Sequence, residues 1–238
     1  MLRAAGLRDE RAPWVSVSDE ARCRQSLFHG VVLSMGITRF DPTRYTVDYI
    51  PQRLRALEVC VLACHAVLSD AVGATALDLD LGSSRLQQPD LSLMVGIAID
   101  AGMVANRTLL NFMGLKLDNG QVVSESYALT IEKFSLPLVQ MHSACQILAP
   151  GVPPDEMKRI WAEALTAASK SIAHLTEAGG TIRVARLGYA CYATAKLLRK
   201  EFFQATGAAE PESLIPFAVE PRFGGVWDAV DPRLNVIQ

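Results

Sequence analysis

What this chain of 238 residues most lacks is net charge: 23 basic side chains stand against 25 acidic ones, leaving −2 at neutral pH. The molecule as a whole has no global field that would recruit nucleic acid or an anionic membrane, so any such binding has to come from a local patch. Aromatic residues are scarce, at 7%, and glycine and proline stand near average usage without building a repeat or a low-complexity run. With 50% of residues apolar and 20% charged, a disordered or collagen-like chain is excluded. Cysteine is also sparse. Cys23, Cys60, Cys64, Cys145 and Cys191 form an odd set scattered through apolar segments, the usage of reduced core thiols and not of a secreted disulfide scaffold. The first apolar run, Leu27 to Ile37, follows a head with charges of both signs and makes a poor signal peptide, so a cytoplasmic location is expected.

Several chemistries lack their motifs. The sequence contains no Gly-x-Gly-x-x-Gly, no phosphate-binding glycine loop ending in Lys-Ser/Thr, no His-Glu-x-x-His and no Gly-x-Ser-x-Gly. No cofactor is implied. Soft metal ligands exist in Cys60-x-x-x-Cys64-His65 and His142-x-x-Cys145, but the spacing matches no common zinc module, and Cys60 and Cys64 share an apolar helix face. They read as core, as Asp78-Leu79-Asp80 reads as capping in a loop, and no metal site is expected.

What is present is helical periodicity. Length favours one domain with decorated ends: a loose arm over 1–17, a helical bundle over 18–206, and a Pro-rich acidic tail over 207–238 docked on the bundle. Ser18 followed by Asp19 and Glu20 starts a first helix, which Gly36 ends, and residues 37–50 read as an irregular connector. Pro51 suits a first helical position, with Leu54, Leu57, Val61, Cys64 and Leu68 recurring at helical steps. Leu91 to Leu115 is apolar nearly all round. Its Asp100, Asn106, Arg107 and Asn111 are costly in lipid, which argues for the central helix of a bundle and against a membrane span. Asp118-Asn119-Gly120 is a strong turn, followed by at most a minor β element near 121–136, and a short helix is expected around Val139 to Leu148. From Pro153-Pro154-Asp155, Met157, Ile160, Trp161, Ala164, Leu165 and Ala168 fall on one face of a helix that Gly179-Gly180 ends, and a last helix runs from Thr181 to about Ala205. The expected fold is all-α, a bundle of five to six helices.

Three constellations could carry function. Asp100, Arg107 and Asn111 form one stripe on the long apolar helix, either as a structural polar network or as a pocket in which Arg107 holds a small anion such as a phosphate. On the last helix, Arg186, Tyr189, Tyr192, Lys196 and Arg199 interleave basic and aromatic side chains, a pattern that suits RNA, a solvated face or a dimer surface. Among the histidines, His29 follows Arg22 and Arg24, His65 borders its helix's apolar face, and His174 lies between Lys170 and Glu177, whose charges would tune it.

The stretch Ala105-Asn106-Arg107-Thr108-Leu109-Leu110-Asn111-Phe112-Met113-Gly114-Leu115, with the later Ile172-Ala173-His174-Leu175-Thr176, resembles uncharacterised bacterial helical-bundle proteins distantly related to the HEPN class. Bundles of that class pack as dimers and occur in RNA-directed defence and toxin systems. The resemblance spans about residues 52–178 and implies Arg107 and His174 as the carried-over positions, facing one another inside the bundle. The Arg-x4-His and Arg-x6-His spacings of the nucleases occur only at His29 and in neither late helix. The reading that follows is an HEPN-like interaction or dimerisation module. Its alternatives are a metal-independent ribonuclease or RNA-binding protein using Arg107 and His174, and a small-anion-binding protein. Expected partners are a second copy of the chain, RNA, or a protein reached through the C-terminal tail, and not a membrane.

Overall fold

In the computed structural model the described residues are 40–69, 71–73, 76–80, 82, 84–126, 129–141, 144, 152–172, 182–221 and 236–237. The chain falls into two compact units, Met1–Phe40 and Asp41–Gln238, and the described residues from Asp41 onward belong to the second. The arm over 1–17, the helix expected after Ser18, His29 with its two arginines, most of the segment Val139 to Leu148, and His174 lie outside the described residues.

The expectation of an all-α bundle of five to six helices is not met. Among the described residues there are four long helices and three two-stranded antiparallel ladders. The first helical run begins inside the stretch expected to be a connector. Asp41 caps it, its Oδ1 accepting the amides of Thr43 at 3.0 Å and Arg44 at 3.3 Å, with Pro42 in the first turn. A π-helical turn, Tyr45–Tyr49, then leads into α1, Ile50–Leu68. Pro51 stands in the first turn of α1, as its residue type suits, but the helical run has already begun at Pro42.

After α1 comes a hairpin where a loop was expected. Strands β1, Leu77–Asp80, and β2, Arg85–Gln88, pair with Leu77 opposite Gln88 and Asp80 opposite Arg85. The alternation Leu-Asp-Leu-Asp is the period of a half-buried strand, with Leu77 buried and Asp78 exposed. Helix α2, Ser92–Phe112, follows, its first amide at Ser92 capped by Asp90 at 2.8 Å. It ends short of Leu115, because Gly114 turns left-handed at φ +86 and packs so close to Leu138 that a Cβ would lie 2.6 Å from that side chain. Strands β3, Leu115–Asp118, and β4, Gln121–Ser124, form the second hairpin. Asn119 and Gly120 both have positive φ, 48° and 78°, the conformation of a two-residue primed turn. Half of this ladder thus precedes the turn, outside the stretch where a β element was expected and starting at Leu115, the expected last residue of the helix, and the region to 136 continues as a 3-10 turn, Ile131–Phe134.

Helix α3, Pro154–Ala167, continues as a π turn to Ile172. Helix α4, Val184–Leu198, continues likewise through Gln204. Just before α4, β5, Ile182–Arg183, pairs with β6, Val236–Ile237, near the chain's C-terminus. The helix at the centre is α4 and not α2: of its 15 residues only Arg186 and Lys196 are not buried. Its run of Ala185, Gly188, Ala190, Ala193 and Ala195 lets neighbouring helices approach it closely. Helix α1 lies against both α2 and α4, and at Gly102 the approach to α1 is so close that a Cβ would sit 2.2 Å from that of Cys60. Behind them, Phe112, Phe134 and Phe202 pack edge to face with centroids 5.0 to 5.6 Å apart.

Candidate functional site

Two surfaces hold the chemistry: the outer face of α2, and a cleft between α1, α4 and the segment that follows α4. On α2, Leu93, Ile97, Asp100, Ala101, Val104, Arg107, Thr108 and Asn111 span about 120° of the helix, and none of them is buried. Leu93 is 44% exposed and Ile97 54%. The stripe Asp100–Arg107–Asn111 therefore lies on the surface, with Asp100 exposed and Arg107 and Asn111 partly so. Among the described residues neither Asp100 nor Arg107 has an ion-pair partner. By length and composition α2 is apolar enough to cross a membrane, and 39% of its apolar window is buried against the rest of the protein.

The polar residue that α2 does bury is Asn106, at 0% exposure. Trp161 Nε1 donates to Thr194 Oγ1 at 3.1 Å, and Thr194 Oγ1 donates to Asn106 Oδ1 at 2.7 Å, so one chain of hydrogen bonds ties α3 to α4 to α2. The Asn106 Nδ2 group has no hydrogen-bond partner among the described residues. Sequence reading passed over this residue in favour of its neighbour Arg107. The available signal was phase, since Ile99, Met103, Asn106 and Leu110 share the buried side.

The five positions picked out on the last helix occupy different environments. Arg186 Nε meets Glu163 Oε2 at 2.5 Å, and its Nη1 meets Glu156 Oε1 at 2.8 Å, both acids lying on α3. Tyr189 and Tyr192 are buried. Lys196 is exposed and lies over the Tyr192 ring, 4.6 Å from its centroid. Arg199 is drawn inward. Its Nη2 donates to Glu58 Oε1 at 2.5 Å, and its Nη1 donates to Glu210 Oε1 at 2.6 Å and to the Pro211 carbonyl at 2.5 Å. Burial opposes the charge of Arg199, but Glu58 and Glu210 outweigh it and hold the guanidinium above its ordinary range.

Glu58 is the residue of the candidate site that sequence reading missed. It shares the buried phase of Leu54, Leu57 and Val61, where a carboxylate requires a partner, and it is 1% exposed. Its second oxygen accepts the Leu214 amide at 3.2 Å, so the segment after α4 is held from both sides. Beside it lies a cavity of about 360 Å³, lined among others by Glu58, Tyr192, Lys196, Arg199, Glu212 and Glu220.

Three thiols, Cys60, Cys64 and Cys191, are free and buried in the core, with Cys191 Sγ 3.7 Å from Cys60 Sγ. Hydrogen bonds from Cys191 and then Cys64 draw the Cys60 thiol down to about 5, against burial and the charge of Asp100, while Cys64 and Cys191 are pushed up. Among the described residues no group of three or more His, Cys, Asp or Glu side chains is arranged to hold a metal ion. No family model, no curated protein and no solved structure matches this chain.

Proposed function

We propose that the protein is a self-associating interaction module that pairs with a second copy of itself through the outer face of α2. One observation carries the reading. The stripe that exposes Leu93 and Ile97 also carries Asp100 and Arg107, two opposite charges without ion-pair partners among the described residues. They stand seven residues apart, about 10 Å along the helix axis. An antiparallel pair of α2 helices, with the two-fold axis midway between those residues, sets each Asp100 against Arg107 of the partner subunit. A two-fold interface is self-complementary by construction, so one chain supplies both halves of the charge match. Burial of Leu93 and Ile97 supplies affinity, and the paired charges fix direction and register. A membrane would solvate the apolar side chains equally well but would strand both charges. The dimeric packing of HEPN-type bundles, which the stretch around Arg107 resembles, points the same way.

Sedimentation equilibrium checks the reading. The wild-type chain is expected to be a dimer at micromolar concentration, and Ile97→Glu a folded monomer. Asp100→Arg and Arg107→Asp should each weaken the dimer by at least tenfold, and the double swap should restore it. A wild-type chain that stays monomeric at about 100 μM would overturn the proposal. So would a double swap no tighter than the single ones.

A further inference from the structure

We infer that the cleft between α1 and α4 is a peptide-binding site, occupied here by the chain's own segment from Glu210 to Ile215, and that the partner it takes is a protein presenting an extended acidic peptide with a carboxylate residue immediately before a proline. The inference is independent of the α2 face and draws on how the segment is held. Two of its contacts go to main-chain atoms, from Arg199 to the Pro211 carbonyl and from the Leu214 amide to Glu58. Main-chain contacts accept many sequences. One contact reads a side chain, the Glu210 carboxylate on Arg199. Proline at the next position has no N–H to satisfy and fixes the extended backbone in advance.

The energetics favour a segment that can leave. If this stretch served only to seal the core, apolar anchors would hold it better than a buried ion pair does. Instead the segment has a single apolar anchor, Ile215, partly buried against the core, while its Leu214 is 38% exposed. Two of the three charges at this contact, Glu58 and Arg199, belong to the helices. When the segment departs, Glu58 and Arg199 still pair with each other, so no buried charge is stranded. The cleft is also larger than its occupant, since the cavity of about 360 Å³ remains beside the segment, with Tyr192 and Lys196 on one wall. A peptide longer on that side has room to extend.

The probe is a fluorescein-labelled synthetic peptide with the sequence of residues 207–221, and the protein is the full chain. Wild type should bind it weakly, because the tethered segment competes at an effective concentration in the millimolar range. Glu210→Lys with Leu214→Pro in the full chain removes both the carboxylate and the amide donor, and should raise the peptide's affinity at least tenfold, read by fluorescence anisotropy. A peptide with lysine in place of Glu210, or the addition of Arg199→Ala to the double variant, should abolish that gain. Equal binding to wild type and variant, or equal binding of the lysine peptide, overturns the inference. So does a new dimer formed by exchange of the loosened segment, because the occupant is then a second copy. Should circular dichroism show the double variant unfolded, wild type decides. Excess peptide should speed hydrogen exchange at the Leu214 amide at least threefold and the lysine peptide should not, and no acceleration overturns the proposal.

Discussion

The outer face of α2 and the flank of α4 carry the same kind of side chain and treat it in opposite ways. On α4, Arg186 is gripped by two glutamates of α3, and Arg199 lies between Glu58 of α1 and Glu210 of the following segment. On α2, Arg107 shares its surface with Asp100, Leu93 and Ile97, and no described acid reaches it. The difference is one of tertiary context and not of helix pattern. An arginine whose charge is already answered inside the fold holds elements together, whereas one left unanswered beside exposed leucine and isoleucine is available for a contact outside the chain.

The sharpest way to break this contrast is to remove an answering charge. Glu58→Ala leaves Arg199, at 13% exposure, without its most buried partner and leaves the Leu214 amide without an acceptor. The loss of unfolding free energy in urea should be about 3 kcal/mol, the scale on which breaking a buried pair costs. Glu58→Gln keeps one acceptor oxygen, for either Arg199 or the Leu214 amide but not both as now placed, and should cost less than the alanine. If Glu58→Ala costs under about 1 kcal/mol, the pair behaves like a surface ion pair and the contrast with α2 collapses.

The counterpart on α2 separates stability from association. Arg107→Ala removes a charge that supports nothing inside the described fold, so the monomer's stability should change by no more than about 0.5 kcal/mol. Self-association should weaken at the same time, which gives the melting temperature a different dependence on protein concentration from that of wild type. A large loss of monomer stability would assign Arg107 to an internal network and remove the charge match from the proposed interface.

How much of this was legible beforehand follows the range of the interactions. The turn at Asn119-Gly120 was plain, because both residues tolerate positive φ and the requirement is local. The apolar face of α3 was equally plain, with Met157, Ile160, Trp161, Ala164 and Leu165 all buried as their spacing indicates. The first hairpin was missed because four-residue strands give too short a period to outweigh the reading of Asp78 and Asp80 as caps. The identity of the central helix was missed for another reason. Apolar composition ranked α2 first, but α4's small residues, which permit close packing, decided the outcome. The arginine pairs were beyond reach, since Glu58 and Arg199 are 141 residues apart and no spacing rule connects them. His174 and His29 lie outside the described residues, and Arg107, expected inside the bundle, stands partly exposed on the outer face of α2 because it shares the phase of Asp100 and Asn111 and not that of the buried Ile99 and Asn106.

The smallest expected effect concerns a pair that is answered but not buried. Arg85 meets Asp78 across the first hairpin through two hydrogen bonds, one from Nε to Oδ1 at 2.7 Å and one from Nη2 to Oδ2, a bidentate geometry better than that of most surface pairs. The two side chains are nonetheless 63% and 47% exposed. Arg85 holds the Asp78 carboxyl below its ordinary value of 3.8. A folded-state pKa below the unfolded one means that the contribution to stability is complete above 3.8 and is lost as pH falls through the folded value. Asp78→Asn should therefore lower the melting temperature at pH 7 by no more than about 2 °C, given the small worth of exposed pairs. The gap from wild type should narrow as the pH is taken below 3.8. If burial is what separates Arg199 from Arg107, a well-formed but solvated pair has to behave more like Arg107. A shift of several degrees at pH 7 would show instead that the geometry of the answer matters more than its depth.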